Sequence, residues 1–416
     1  MITEKLDEGL YRTVADNGVS VLSVSISGVR SVAVGIWIKA ASAHEPRGKM
    51  GLSHLLEHMV FKGTRRRSAR EIALELEARG GSLDAFTARD HTSFQARVLD
   101  EDLPRALDVL TDLLREPVLR ESDLDLERKV VLEEISTVED TPDDLVFDLH
   151  SSTLWPDHSY GFSILGTRDT VEGLTSADLR GLHQRAYHPR QAVIAAAGSL
   201  DHEVLLKLLA KCGWFSFKPG PEPAEISSVP AASKSTERFE RDTVQTHVVF
   251  GTDTFPFVDR RRYPLMLLNQ VLGSGMSSRL FQRVREKLGL AYTVFSYQSF
   301  YRHSGVTGVY VGTHPSTASQ AVACIREELD KLADEGLPPE DLARAKQQLK
   351  GQITLSLESP AAQMYRIAGL SLHNEPYRTL DQVLADVDRI NADEVAEVAS
   401  EFFPSDKQSV VWLGPN

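Results

Sequence analysis

Cysteine is scarce: only Cys212 and Cys324 occur in 416 residues, and they lie far apart. That excludes a disulfide framework and a cysteine-rich metal site, and it suits a reducing cytoplasm. Any metal must be held by histidines and carboxylates. Long apolar runs are lacking too. No stretch approaches the roughly 20 residues of a membrane span, so the chain is not expected to cross a bilayer. The opening residues, MITEKLDEGLYRTVADNGVSV, have acidic groups early and no apolar h-region, so neither a secretory signal nor an Arg-rich transit peptide is read there. A bacterial cytoplasmic location is expected, with a processed organellar protein as the alternative. Positive charge is in deficit, with 46 Lys and Arg against 59 Asp and Glu and a net charge of -13. This argues against nucleic acid as the main partner, although Arg65, Arg66 and Arg67 form a local basic run. An acidic chain suits basic ligands, although most acidic surfaces serve solubility alone.

The residues present, 42% hydrophobic and 25% charged, are those of a globular protein, and the length implies two or three domains. Residues 217–236, FKPGPEPAEISSVPAASKST, are rich in Pro, Ser and Ala and lack periodicity. They read as a linker between a first domain, 1–216, and a second, 237–416. The two halves resemble each other. ESDLDLERKVVLEEI (121–135) matches PPEDLARAKQQLKGQI (338–353), both acidic-capped helix starts. GLTSADLRGLHQRAYHPRQAVIAAAG (173–198) matches RINADEVAEVASEFFPSDKQSVVWLG (389–414), each a capped helix, a Pro turn and an apolar strand. Both pairs are displaced by 216 to 218 positions, as in a duplicated domain of about 200 residues. Strands followed by helices, further strands and helices predict an α+β fold: two homologous domains, each a mostly antiparallel sheet with helices on one face.

GLSHLLEHMVFKGT (51–64) places His54, Glu57 and His58 within five positions in an otherwise apolar stretch. On a helix His54 and His58 share a face one turn apart, the spacing that lets two imidazoles grip one ion. Glu57 borders that face, where a carboxylate can take a proton from a metal-bound water. A lone histidine on an apolar face is ordinarily a core residue; two at this spacing beside a glutamate weigh against that reading. A hydrolytic zinc site wants a third ligand. The helix of 121–135 offers Glu127, Glu133 and Glu134, of which Glu127 and Glu134 share a face, although a solvated acidic face is the ordinary alternative. Aligning the halves sets MLLNQ (266–270) against HLLEH (54–58) and Gln352 against Glu134. The second copy keeps the apolar scaffold without the candidate ligands, which favours chemistry over packing.

With HLLEH at 54–58 and Glu134 76 positions beyond His58, the chain resembles the M16 family of zinc metallopeptidases, the inverzincins. EHMVFKGT, the length and the two similar halves resemble its M16B group, which includes mitochondrial processing peptidase beta subunits and bacterial relatives. The resemblance covers essentially the whole chain. It implies that His54, His58 and Glu134 bind one Zn2+ per chain, that Glu57 is the general base and that Glu127 supports the site from behind. GGSLDAFTARDHTSFQARV (80–98) resembles the strand to which the family adds its peptide, implying substrate contact at Asp84, Ala85 and Phe86, with Asp84 standing where the family often has Asn. REKLGLAY (285–292) resembles the second-domain pair that contacts substrate, here Arg285 and Tyr292. The resemblance further implies a homodimer enclosing a chamber that admits unfolded peptides or presequence-like segments. The alternatives are a noncatalytic subunit, a peptide-binding protein, or the catalytic half of a heterodimer.

Overall fold

The computed structural model describes residues 1–415. Its strands are β1 (Ile2–Asp7), β2 (Leu10–Val14), β3 (Ser20–Ser25), β4 (Ser31–Ile38), β5 (Ser82–Thr87), β6 (Thr92–Leu99), β7 (Ala192–Gly198), β8 (Thr236–Glu240), β9 (Thr246–Thr254), β10 (Ala291–Phe300), β11 (Gly305–Thr313) and β12 (Ser409–Gly414). Its helices are α1 (Leu52–Val60), α2 (Ala69–Glu77), α3 (Leu103–Arg115), α4 (Glu121–Glu139), α5 (Pro142–Leu154), α6 (Arg168–Gly173), α7 (Ser176–Ala186), α8 (His202–Lys211), α9 (Arg262–Gly273), α10 (Ala318–Glu335), α11 (Pro339–Ser356), α12 (Pro360–Leu372), α13 (Leu380–Arg389) and α14 (Ala392–Phe402). Local chemistry starts several of them. Thr175 caps α7 and Asn391 caps α14, each in a reciprocal capping box with the residue three positions on. The stretch 218–235 carries neither helix nor strand.

The chain forms two compact units. The first comprises Met1–Ile135, Ser163–Ile226 and Ser356–Tyr377; the second comprises Ser136–Phe162, Ser227–Leu355 and residues from Arg378 onward. The first unit holds a seven-stranded sheet, β1-β2-β3-β7-β4-β6-β5, antiparallel except for β3 beside β7. The second holds a five-stranded sheet, β10-β11-β9-β12-β8, antiparallel except for β12 beside β8. Reading β3-β7-β4-β6-β5 against β8-β12-β9-β11-β10 gives one topology with the parallel pair at the same place. The β1–β2 hairpin is the first unit's addition.

One face of the first sheet, with Val32, Val34, Ile36, Phe94 and Ile194, packs on α1, α3, α4, α7 and α8. In the second unit Val248, Phe250, Val309 and Trp412 pack on α9, α10, α11, α13 and α14. Each sheet also carries one helix on its opposite face, a feature the sequence patterns did not signal. Met364, Ile367, Ala368 and Leu372 of α12 cover Leu22, Ala33, Trp37 and Ala195 in the first unit. Val146 of α5 covers Val249, Tyr310 and Val411 in the second. Strand β7 is buried at all its positions, so it needs cover on both sides. The covering helix is drawn from the other half of the chain, which no local pattern reveals.

Candidate metal centre

Helix α1 is set by its start. Gly51, its N-cap, lies in the left-handed region at φ +87°, and a Cβ there would stand 2.5 Å from the Leu165 carbonyl oxygen, so only glycine fits. The Glu45 carboxylate accepts the N–H of Gly51 at 2.9 Å and of Ser53 at 2.5 Å. These are donors that a helix start leaves without intrahelical partners. Glu45 is buried, and that burial pushes its carboxyl up to about 7 despite these bonds. Leu52, Leu55, Leu56, Met59 and Val60 sink into the core, and the 3.6-residue period leaves His54 and His58 side by side, ring centroids 4.6 Å apart.

Glu134 arrives from α4. One ligand atom from each of His54, His58 and Glu134 lies within 4.8 Å of the others, and among the described residues this is the one such His, Cys, Asp or Glu group. His54 Nε2 is 3.6 Å from Glu134 Oε2, and His58 Nε2 is 3.6 Å from Glu134 Oε1. Both histidines thus present the same nitrogen. Glu134 Oε2 is buried and makes no hydrogen bond. Burial, followed by the nearby His58, pushes His54 down to about 4, which keeps it neutral with a lone pair to donate. Two imidazoles and one carboxylate are the donor set of hydrolytic zinc sites, and the residues present fit that ion.

Glu127, 4% exposed, lies behind His58 with Oε2 3.1 Å from Nδ1. Glu57 is buried beside the histidines, and Thr87 Oγ1 donates to its Oε2 at 2.6 Å. Burial raises the Glu57 carboxyl above its ordinary value, opposed by the Thr87 bond. Sequence reasoning overlooked Thr87, the last residue of β5, and Lys62, whose Nζ is 2.5 Å from Glu127 Oε1. The signal for Lys62 was present, since it stands four positions after His58.

Asp84, Ala85 and Phe86 lie on β5, at the edge of the first sheet and paired with β6. Their exposure alternates, with Asp84 and Phe86 exposed and Ala85 half-buried. Arg285 and Tyr292 belong to the second unit, not to the one that holds the histidines. Arg285 lies in a π-helical stretch, Phe281–Lys287, its guanidinium 4.4 Å from the Tyr292 ring centroid. The β10–β11 register slips between Ala291 and Thr293, so Tyr292 is an unpaired bulge residue, 74% exposed. Bulges and π turns recur where a functional side chain is re-aimed.

The fold is a duplicated α+β one whose first unit carries a two-histidine, one-carboxylate cluster that could hold a metal ion, and among the described residues the second unit carries no such cluster. Residues 20–168 match the family model described as insulinase (peptidase family M16), and residues 173–349 match the peptidase M16 inactive domain. The chain is 39% identical to an uncharacterized zinc protease of Streptomyces coelicolor, over 97% of this chain and 89% of that one. It is 38% identical to one of Bacillus subtilis, over 95% and 96%. The fold matches a crystal structure of a peptidase M16 inactive domain from Pseudomonas fluorescens, with a TM-score of 0.91, 20% identity and 98% of each chain covered. It also matches a protease from Helicobacter pylori, with a TM-score of 0.89, 23% identity and 98% and 99% covered. The chain belongs to peptidase family M16.

Proposed function

We propose that this protein is a zinc-dependent endopeptidase of the HxxEH type, acting on unfolded peptides or presequence-like segments. The observation that carries the reading is the convergence of His54, His58 and Glu134 ligand atoms within 4.8 Å, with the Glu57 carboxylate alongside. His54, His58 and Glu134 hold one Zn2+ per chain, which when bound polarises the scissile carbonyl and acidifies water. Glu57 takes the proton of the attacking water and hands it to the leaving amine, and its burial, which raises the carboxyl above its ordinary value, makes it a stronger base for the first of these steps. Thr87 fixes the orientation of the Glu57 carboxylate through its hydrogen bond. A peptide lying along the free edge of β5 would gain main-chain hydrogen bonds, with Asp84, Ala85 and Phe86 as its neighbours.

Arg285 and Tyr292 serve as substrate contacts, a reading supported by the exposure of Tyr292 and its place at a bulge. We assign the active form to a homodimer that encloses a chamber, in the cytoplasm of a bacterium. The unpaired thiols of Cys212 and Cys324 suit that compartment. No helix among the described residues is long and apolar enough to cross a membrane.

The test is hydrolysis of unstructured basic and neutral peptides by wild type and Glu57→Gln, with zinc quantified in both. Cleavage by wild type alone at equal zinc is the expected result. Zinc in both proteins with cleavage by neither would point to a missing partner chain or a noncatalytic subunit, and zinc in neither would overturn the reading.

A further inference from the structure

Taking the proposed metal site as given, we infer that Lys62 is a positioning residue for it, acting through Glu127 on His58. Lys62 stands two residues beyond the end of α1, its N–H bonded to the Met59 carbonyl oxygen at 3.2 Å. Four positions after His58, its side chain returns to the His58 face. Its Nζ lies 2.5 Å from Glu127 Oε1, and the other oxygen, Oε2, lies 3.1 Å from His58 Nδ1. Glu127 is therefore gripped at both oxygens, one by a cation and one by the ring. His58 Nε2, on the far side of the ring, points to Glu134 Oε1 at 3.6 Å. The chain Lys62, Glu127, His58 thus decides which ring nitrogen faces the cluster.

The arrangement has a physical need behind it. A carboxylate 4% exposed is costly unless its charge is balanced and both oxygens are satisfied, and a neutral imidazole N–H supplies only one bond and no charge. Lys62 supplies the counter-charge from a side chain still 37% exposed, its stem reaching in from the surface. An anchored Glu127 accepts from Nδ1–H and leaves the Nε2 lone pair aimed at the ion, as outer-shell carboxylates do for metal-bound histidines. His54 has no such support: its Nδ1 is buried without a hydrogen bond. Of the two imidazoles, only His58 is oriented by an acceptor.

The second unit gives an internal comparison. The displacement that sets His54 against Met266 sets Lys62 against Ser274, and the one that sets Glu134 against Gln352 sets Glu127 against Ala345. Cation and carboxylate are both missing where the ligands are missing. An ion pair that served only to hold a helix end would be equally useful in both units.

The test compares wild type, Lys62→Met and Lys62→Arg. Zinc affinity is measured by competition with a chromophoric chelator, and the His58 tautomer in metal-free protein by long-range nitrogen-proton NMR. In Lys62→Met zinc binding should weaken about 10-fold, the lower end of what losing an outer-shell partner costs. The tautomer should change from Nδ1–H to a mixture, and Lys62→Arg should recover most of both. A merely structural lysine would lower the unfolding midpoint and leave affinity and tautomer unchanged, which would overturn the inference. If Lys62→Met does not fold, Lys62→Gln, which keeps a donor and removes the charge, carries the same expectations. Wild-type protein that takes up no zinc would sink the metal reading itself. Wild-type uptake with an unchanged Lys62 variant would sink only the role of Lys62.

Discussion

Replacing Glu45 with glutamine should make stability rise more steeply with pH. Burial lifts this carboxyl from 4.5 to about 7, against the opposing pull of its bonds to Ser53 and Gly51. The folded protein then binds the proton more tightly than the unfolded chain. The stability this proton confers is fully present below about pH 4.5 and is lost as pH rises through about 7. At about 1.4 kcal/mol per pH unit, the gap between those values amounts to roughly 3 kcal/mol. Six histidines, His54, His91, His150, His183, His202 and His247, are held down by burial and act in the opposite sense. Burial pushes His54, His91 and His150 down to about 4, so their contribution grows as pH rises from about 4 toward 6.5. The wild-type curve alone therefore says little about Glu45, and the difference between variants isolates it. Urea unfolding of chelator-treated wild type and Glu45→Gln should be compared at pH 4.5 and 7.5. The glutamine variant should gain roughly 3 kcal/mol relative to wild type across that interval. A difference that stays constant with pH would refute the assignment of a buried, readily protonated Glu45.

Further outcomes follow from single contacts. Thr87→Val removes the 2.6 Å donor to Glu57, and losing a hydrogen bond to a charged group, worth about 1.5 to 3 kcal/mol, should lower kcat/KM by about 10-fold or more. Zinc content should not change, and the acid limb of the pH–rate profile should move to higher pH, because that bond holds the Glu57 carboxyl down. Gly251→Ala would place a Cβ 2.5 Å from His150 Cε1, an overpacking worth about 1 to 3 kcal/mol, seen as a lower unfolding midpoint. Arg285→Ala should raise KM and cost about 0.5 to 1 kcal/mol of stability, because its guanidinium lies over the rings of both Phe281 and Tyr292.

Much of the candidate site could be read from spacing alone. His54 and His58 had to share a face because the intervening apolar residues fix the helix phase, and Glu127 and Glu134 had to share one because they are seven apart. Glu45, Thr87 and Lys62 were not singled out. Thr87 lies 30 positions from Glu57 and meets it only because β5 folds back toward α1. Glu45 is a plain acidic residue in the sequence and gains its role from the two N–H groups that α1 turns toward it.

By itself the sequence determined the periodic elements and the shared faces of His54 with His58 and of Glu127 with Glu134. These depend on spacing within a helix or strand, where the backbone geometry is nearly the same in any protein. Tertiary structure alone decided which partner each polar group meets. It brought Glu134 against His54 and His58, closed Lys62 onto Glu127, and laid α12 and α5 over the open faces of the two sheets. Those pairings join residues from distant parts of the chain, and they form because buried sheet faces and buried charges must find cover wherever the fold supplies it.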